Sequence, residues 1–140
     1  MDPALKRAYE TSIYSARVDD DDVQIKIGAV CAELERALER HEVTSWAYLT
    51  AWNPQGKTLP PDVNDQRQEQ LRTALARGGF DFAEGQSEPA DGNEMAECSV
   101  LVFGITEKDA VALAREFDQL AIVAGKKGQP ARLVEIQKQG

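Results

Sequence analysis

A chain of 140 residues, 42% hydrophobic and 29% charged, has the composition of one soluble globular domain, with enough length to bury roughly two-thirds of its unfolded surface. A formal net charge of −8 argues against a nucleic-acid backbone or an anionic membrane as partner and leaves a basic protein as the compatible macromolecule. The first residues, Met1 to Arg7, lack the apolar stretch of a signal peptide, no apolar run is long enough to span a bilayer, and Cys31 and Cys98 form no Cys-x-x-Cys pair, so the expected compartment is the cytoplasm with both thiols reduced.

Asp2-Pro3 opens a short helix to about Tyr9, with a capping side chain followed by proline at the first helical position. Ile13–Val18 and Val23–Ile27 read as two strands around Asp19-Asp20-Asp21-Asp22. That acidic run lacks the alternating ligands and glycine of an EF-hand loop and reads as a solvated turn. Ala29 to about His41 has helical spacing, with Val30, Leu34, Ala37, Leu38 and His41 on one face. The only histidine therefore ends a core stripe, as a capping or packing residue, and a multi-histidine metal site is impossible.

Thr44 to Pro54 carries both tryptophans and no charge. As a strand it points Trp46, Tyr48, Thr50 and Trp52 one way and Ala47, Leu49 and Ala51 the other. Both faces are mostly apolar, which predicts a central strand covered on both sides, ended by Asn53-Pro54. Gly56-Lys57-Thr58 imitates the end of a phosphate loop, but the glycine required five residues earlier is Ala51, and Pro60-Pro61 forbid an immediate helix.

Asp62 to Arg77 is the next expected helix, with Asp62 as N-cap and Gly78-Gly79 as its stop. Its apolar stripe of Leu71, Ala74 and Leu75, extended backwards, reaches Arg67 and Asn64, so the inner face is polar in its first turns. Phe80–Phe82 alternates as a short strand, and Glu84–Glu94 reads as loop. Ala96–Ile105 is the second strongly apolar strand, with Leu101, Phe103 and Ile105 on the face of Glu97 and Ser99, and Cys98, Val100 and Val102 on the other. Thr106 to Asp109 resembles a capping box and opens a helix with Ala110, Leu113, Ala114 and Phe117 inward. Strands at Ala121–Val123 and Arg132–Ile136 close the chain.

The expected architecture is a single α+β domain with a mixed or antiparallel sheet. From Thr44 onward the order strand, helix, strand, strand, helix, strand is that of a split βαββαβ, ferredoxin-like unit, preceded by a hairpin and helix and followed by one strand. In that topology the end of strand 44–52 lies beside the start of strand 96–105. The helix near Asn64 starts at the same edge, and the helix ending near Gln119 returns to it. Thr50, Asn53, Asn64, Arg67, Glu97, Ser99 and Gln119 are then expected to converge, with Trp52 beside them.

The same residues carry a family resemblance. Ser45-Trp46-Ala47-Tyr48-Leu49-Thr50-Ala51-Trp52-Asn53-Pro54, Asn64-x-x-Arg67, Glu97-x-Ser99 and Phe117-x-Gln119-x-Ala121 together resemble a bacterial family defined as a domain of unknown function. The likeness runs from about Tyr9 to Val134 and brings no established activity with it.

Three readings of the cluster follow. The first is a pocket for a small polar or anionic metabolite. Arg67 would meet an anion, Glu97 would take a proton or bind an amino or hydroxyl group, and Trp52 with Tyr48 would form a stacking wall. The second is an acidic, inhibitor-like module that meets a basic protein through the Asp19–Asp22 turn and the Glu84–Glu94 loop. The third is an Arg67–Glu97 pair whose role is purely structural, with Asn53, Asn64 and Gln119 tying the loop to the sheet. No catalytic residue, cofactor motif or metal-ligand set stands out, and Cys98 with His41 is disfavoured because nothing brings them together. The sequence does not set the oligomeric state.

Overall fold

The fold was described from a computed structural model, covering residues 1–88 and 96–137. Helix α1 (Pro3–Thr11) begins where Asp2 accepts from the Ala4 N–H at 3.0 Å. Strands β1 (Ile13–Val18) and β2 (Asp21–Ile25) follow, then helix α2 (Ala32–Arg40) and strand β3 (Ser45–Leu49). After a 3₁₀ turn at Pro54–Gly56 come helix α3 (Pro61–Arg77), strand β4 (Asp81–Glu88) and strand β5 (Glu97–Phe103). Helix α4 (Glu107–Glu116) and strands β6 (Ala121–Lys126) and β7 (Arg132–Glu135) complete the chain.

All seven strands form one sheet in the order β2-β1-β4-β5-β3-β6-β7, and every neighbouring pair is antiparallel. Four consecutive strands, β4-β5-β3-β6, stand in the order that a split βαββαβ unit gives its strands. The two ends of the sheet meet. Ile27, just past β2, forms a parallel bridge with Ala131, just before β7; Gly28 N–H donates to Ala131 O at 2.8 Å, and Ala131 N–H to Ala29 O at 3.1 Å. A sheet whose edges touch must curl, and α2 fills the curl. Leu34, Ala37 and Leu38 pack with Tyr14, Val23, Trp46, Leu101, Phe103 and Val123. On the opposite face Leu71 and Leu75 of α3 and Ala110 and Ala114 of α4 cover Ala47, Leu49, Val100, Val102 and Ile122. The central strand is thus buried on both sides, as its two apolar faces require.

Several boundaries differ from expectation. The hairpin turn is only Asp19-Asp20, with Asp19 at φ 55°, so Asp21 and Asp22 belong to β2. Helix α2 starts three residues late, which leaves Val30 outside it and 51% exposed. Helix α3 starts at Pro61, so Asp62 lies in its first turn and caps nothing. Residues Glu84–Glu88 are strand, because β4 pairs with β1 and β5 together and needs no apolar side chains to be held. The remainder of the expected acidic loop, 89–94, lies outside the described residues. Ile105 packs with the α3–α4 face, opposite to Leu101 and Phe103, because Gly104 at φ 80° turns the chain between them. His41 ends α2 and stacks flat on Phe103, with ring centroids 4.3 Å apart, which makes it the expected packing residue.

Candidate functional site

Strand β3 ends at Leu49, and Thr50 to Leu59 cross the end of the sheet as a loop. Side chains from three sides hold this loop. Thr50 Oγ1 donates to Cys98 O at 2.7 Å and accepts from the Trp52 N–H further along the loop at 3.0 Å. Gln68 Oε1 accepts from Ala51 N–H, and Arg67 Nε donates to Ala51 O, both at 2.9 Å. Arg67 Nη2 reaches on to Phe117 O at 2.6 Å, with the guanidinium 6.0 Å from the Phe117 ring centroid. Gln119 Nε2 donates to Trp52 O at 3.0 Å and to Phe117 O at 3.2 Å.

Asn53 is the centre of the loop. Its N–H donates to Asn64 Oδ1 and its Oδ1 accepts from Asn64 Nδ2, both at 2.9 Å. The same Oδ1 accepts from Leu59 N–H at 3.0 Å, and Asn53 Nδ2 donates to Glu97 Oε1 at 3.2 Å. This bonding fixes a strained backbone. Asn53 has φ 46° and ψ 64° although it precedes Pro54, whose ring favours extended geometry in the residue before it. Gln55 is also left-handed, at φ 55°, and is pinned through its N–H to Asp118 O at 2.7 Å. Non-glycine residues in such conformations cost on the order of 1–3 kcal/mol each and persist only where the surroundings enforce them.

The expected convergence is therefore present for Thr50, Trp52, Asn53, Asn64, Arg67, Glu97 and Gln119. Ser99 stands apart. It is buried, and its Oγ donates to Glu97 O on its own strand at 3.1 Å. Arg67 is not paired with Glu97; its bonds go to carbonyls, and Asn53 takes the place beside the carboxylate. Tyr48 offers no stacking wall. It is 4% exposed, packs edge-on against Tyr14 at 5.3 Å, and donates to Ser15 O at 2.7 Å. Burial pushes the Tyr48 and Tyr14 hydroxyls well above the ordinary tyrosine value. Burial, and then the charge of Glu97, pushes Tyr9 of α1 up to about 12.

Gln68 was not among the candidates, yet it is as buried as Asn64, each 1% exposed. The signal was present. Asn64, Gln68, Leu71 and Leu75 follow helical spacing, so the stripe that ends in leucines begins with two carboxamides. Two covered donors in this corner have no acceptor among the described residues: Gln68 Nε2 and Trp52 Nε1. An unmet buried donor costs about 1–3 kcal/mol.

The acidic turn is partly compensated from within, at three of its four aspartates. Arg40 pairs with Asp19 at 3.0 Å and with Asp21 at 3.4 Å, and Arg17 pairs with Asp22 at 3.0 Å. Glu84 is held by Arg72 at 2.7 Å. Among the described residues no group of histidine, cysteine, aspartate and glutamate has the geometry to hold a metal ion, and no helix is long and apolar enough to cross a membrane.

A family model described as protein of unknown function (DUF3293) matches residues 49–122, just over half of the chain. The chain belongs to that family. The matched span of the DUF3293 model contains every residue of the cluster from Thr50 to Gln119, whereas α1, β1, β2, α2 and β7 lie outside it. No curated protein and no solved structure matches the chain.

Proposed function

We propose that the corner formed by Thr50–Leu59, the first turns of α3, Glu97 and Gln119 binds a small polar ligand. The observation that carries this reading is the enforced left-handed backbone at Asn53 and Gln55. A connection whose only task was to join β3 to α3 has cheaper conformations available, and strain of this kind collects at ligand-holding loops. The network then acts as a rigid platform, already organised before a ligand arrives. A saturable rise in melting temperature with members of a broad metabolite panel is the expected result. No rise with any member at millimolar concentration refutes the reading.

A second reading is favoured by the same hydrogen bonds. Most of the polar atoms of Asn53, Asn64, Arg67 and Gln119 are spent on one another or on backbone groups, as in a purely structural clamp. A clamp of this kind predicts no ligand-dependent stabilisation at all. The acidic-module reading has less support, because three of its four aspartates, Asp19, Asp21 and Asp22, already have arginine partners.

A further inference from the structure

We infer that the ligand of this corner carries a carboxylate, received by the Trp52 indole N–H and the Gln68 carboxamide beside the guanidinium of Arg67. The inference rests on the ligand-binding reading above and names the chemistry of what is bound.

Gln68 is 1% exposed, and its orientation is fixed because Oε1 must accept from Ala51 N–H. Its Nε2 is therefore committed as a donor, and it is covered without an acceptor among the described residues. Trp52 Nε1 is in the same condition. Both donors hang from one point of the chain: Gln68 grips the Ala51 N–H, and Trp52 is the next residue. Arg67 grips the carbonyl of that same Ala51 at 2.9 Å. Arg67 has no carboxylate within ion-pair distance among the described residues; its partners are two neutral carbonyls and the Phe117 ring. Two N–H donors without acceptors and a cation without a counter-ion among the described residues call for anionic oxygen. They repel an ammonium group, and they favour a carboxylate over a neutral carbonyl by the charge of Arg67. A carboxylate has two oxygens for the two donors. Trp52 is only partly buried, so its ring is the element that gives way to admit the ligand.

The test uses the full chain labelled with nitrogen-15. The protein has two tryptophans and hence two indole N–H signals, and Trp52→Phe identifies the one from Trp52. Sodium acetate is titrated against sodium chloride at matched ionic strength, against acetamide and against inorganic phosphate. The expected result is a saturable shift of the Trp52 indole and one side-chain carboxamide with acetate, with Trp46 unmoved. Trp52→Phe should weaken acetate binding by about tenfold, the loss of one charge-assisted hydrogen bond. Equal shifts with chloride, or shifts with acetamide or phosphate alone, overturn the carboxylate assignment. So does an exchange signal to a bound water at Trp52 that survives saturating acetate. If acetate moves nothing while another metabolite raises the melting temperature, this inference fails and the ligand-binding reading stands. If nothing moves and nothing stabilises, both fall.

Discussion

Asn53 and Asn64 hold each other reciprocally: the backbone N–H of Asn53 donates to the Asn64 side chain, and the Asn64 amide donates back to the side-chain oxygen of Asn53, both at 2.9 Å. The Asn64 amide also reaches Leu59 O at 3.2 Å, so one buried carboxamide closes both ends of the loop. Asn64→Leu keeps the volume and removes every one of these bonds, leaving Asn53 N–H and Leu59 O unmet. The expected loss is about 3 kcal/mol of unfolding free energy, measured by urea denaturation. A loss under about 1 kcal/mol would mean that the loop is held by something else.

In holding the loop, Arg67 works as a fork. Its Nε and Nη2 serve carbonyls on two separate segments, Ala51 and Phe117. Lysine has one ammonium and spans only one of them. Arg67→Lys should therefore lose at least half of what Arg67→Leu loses, the latter being about 3 kcal/mol. Full rescue by lysine in chemical denaturation would show that charge alone matters here.

Gly85 lets β1 and β4 come together. A Cβ at this position would stand 2.1 Å from Ser15 O and 2.9 Å from the Tyr48 hydroxyl, inside the bond that Tyr48 makes to the same carbonyl. Backbone cannot swing aside as a side chain can, so Gly85→Ala should cost about 3 kcal/mol, the upper end for overpacking. Thermal unfolding of this variant at an unchanged temperature would contradict the antiparallel pairing that sets Gly85 opposite Ala16 across β1 and β4.

Alkali should unfold the protein through its tyrosines. Burial raises the folded-state pKa of Tyr9 from the ordinary 10.0 to about 12 and raises Tyr14 and Tyr48 further. In the unfolded chain these groups lose their protons first. Their neutral forms cost no stability below pH 10, and stability then falls as pH rises through the window from 10 to about 12 and beyond. Tyrosinate absorbance should lag behind that of free tyrosine and then rise cooperatively with loss of the fold. A simple titration centred on the ordinary value would contradict the burial of these rings.

The order of the four strands β3 to β6, and no further, could be read because two segments, 44–52 and 96–105, are apolar on both faces and can only be central. The convergence of Asn53, Asn64, Arg67, Glu97 and Gln119 followed from that order. Pairing partners were harder to read. The end of β4, Glu84–Glu88, carries polar side chains and is held by backbone bonds to two neighbours, which composition does not reveal. Face alternation puts Ser99 beside Glu97, where its hydroxyl meets the Glu97 carbonyl, but it says which way a side chain points and not which group it meets. Arg67 and Glu97 invited pairing by charge, yet the neutral Asn53 reaches the carboxylate and Arg67 takes carbonyls. Gln68 is missed when the stripe of Leu71, Ala74 and Leu75 is extended backwards to Arg67 and Asn64, because a step of four from Leu71 passes over the step of three that reaches Gln68.

The bridge between Ile27 and Ala131 has a kinetic consequence. It joins the far ends of a sheet whose seven strands must already lie side by side before the two residues can meet. Contacts of such sequence separation form late, after the entropy of closing the intervening chain has been overcome. Substitutions that weaken this seam should therefore leave the folding rate almost unchanged and quicken unfolding, so the seam governs how long the native chain lasts once it is made.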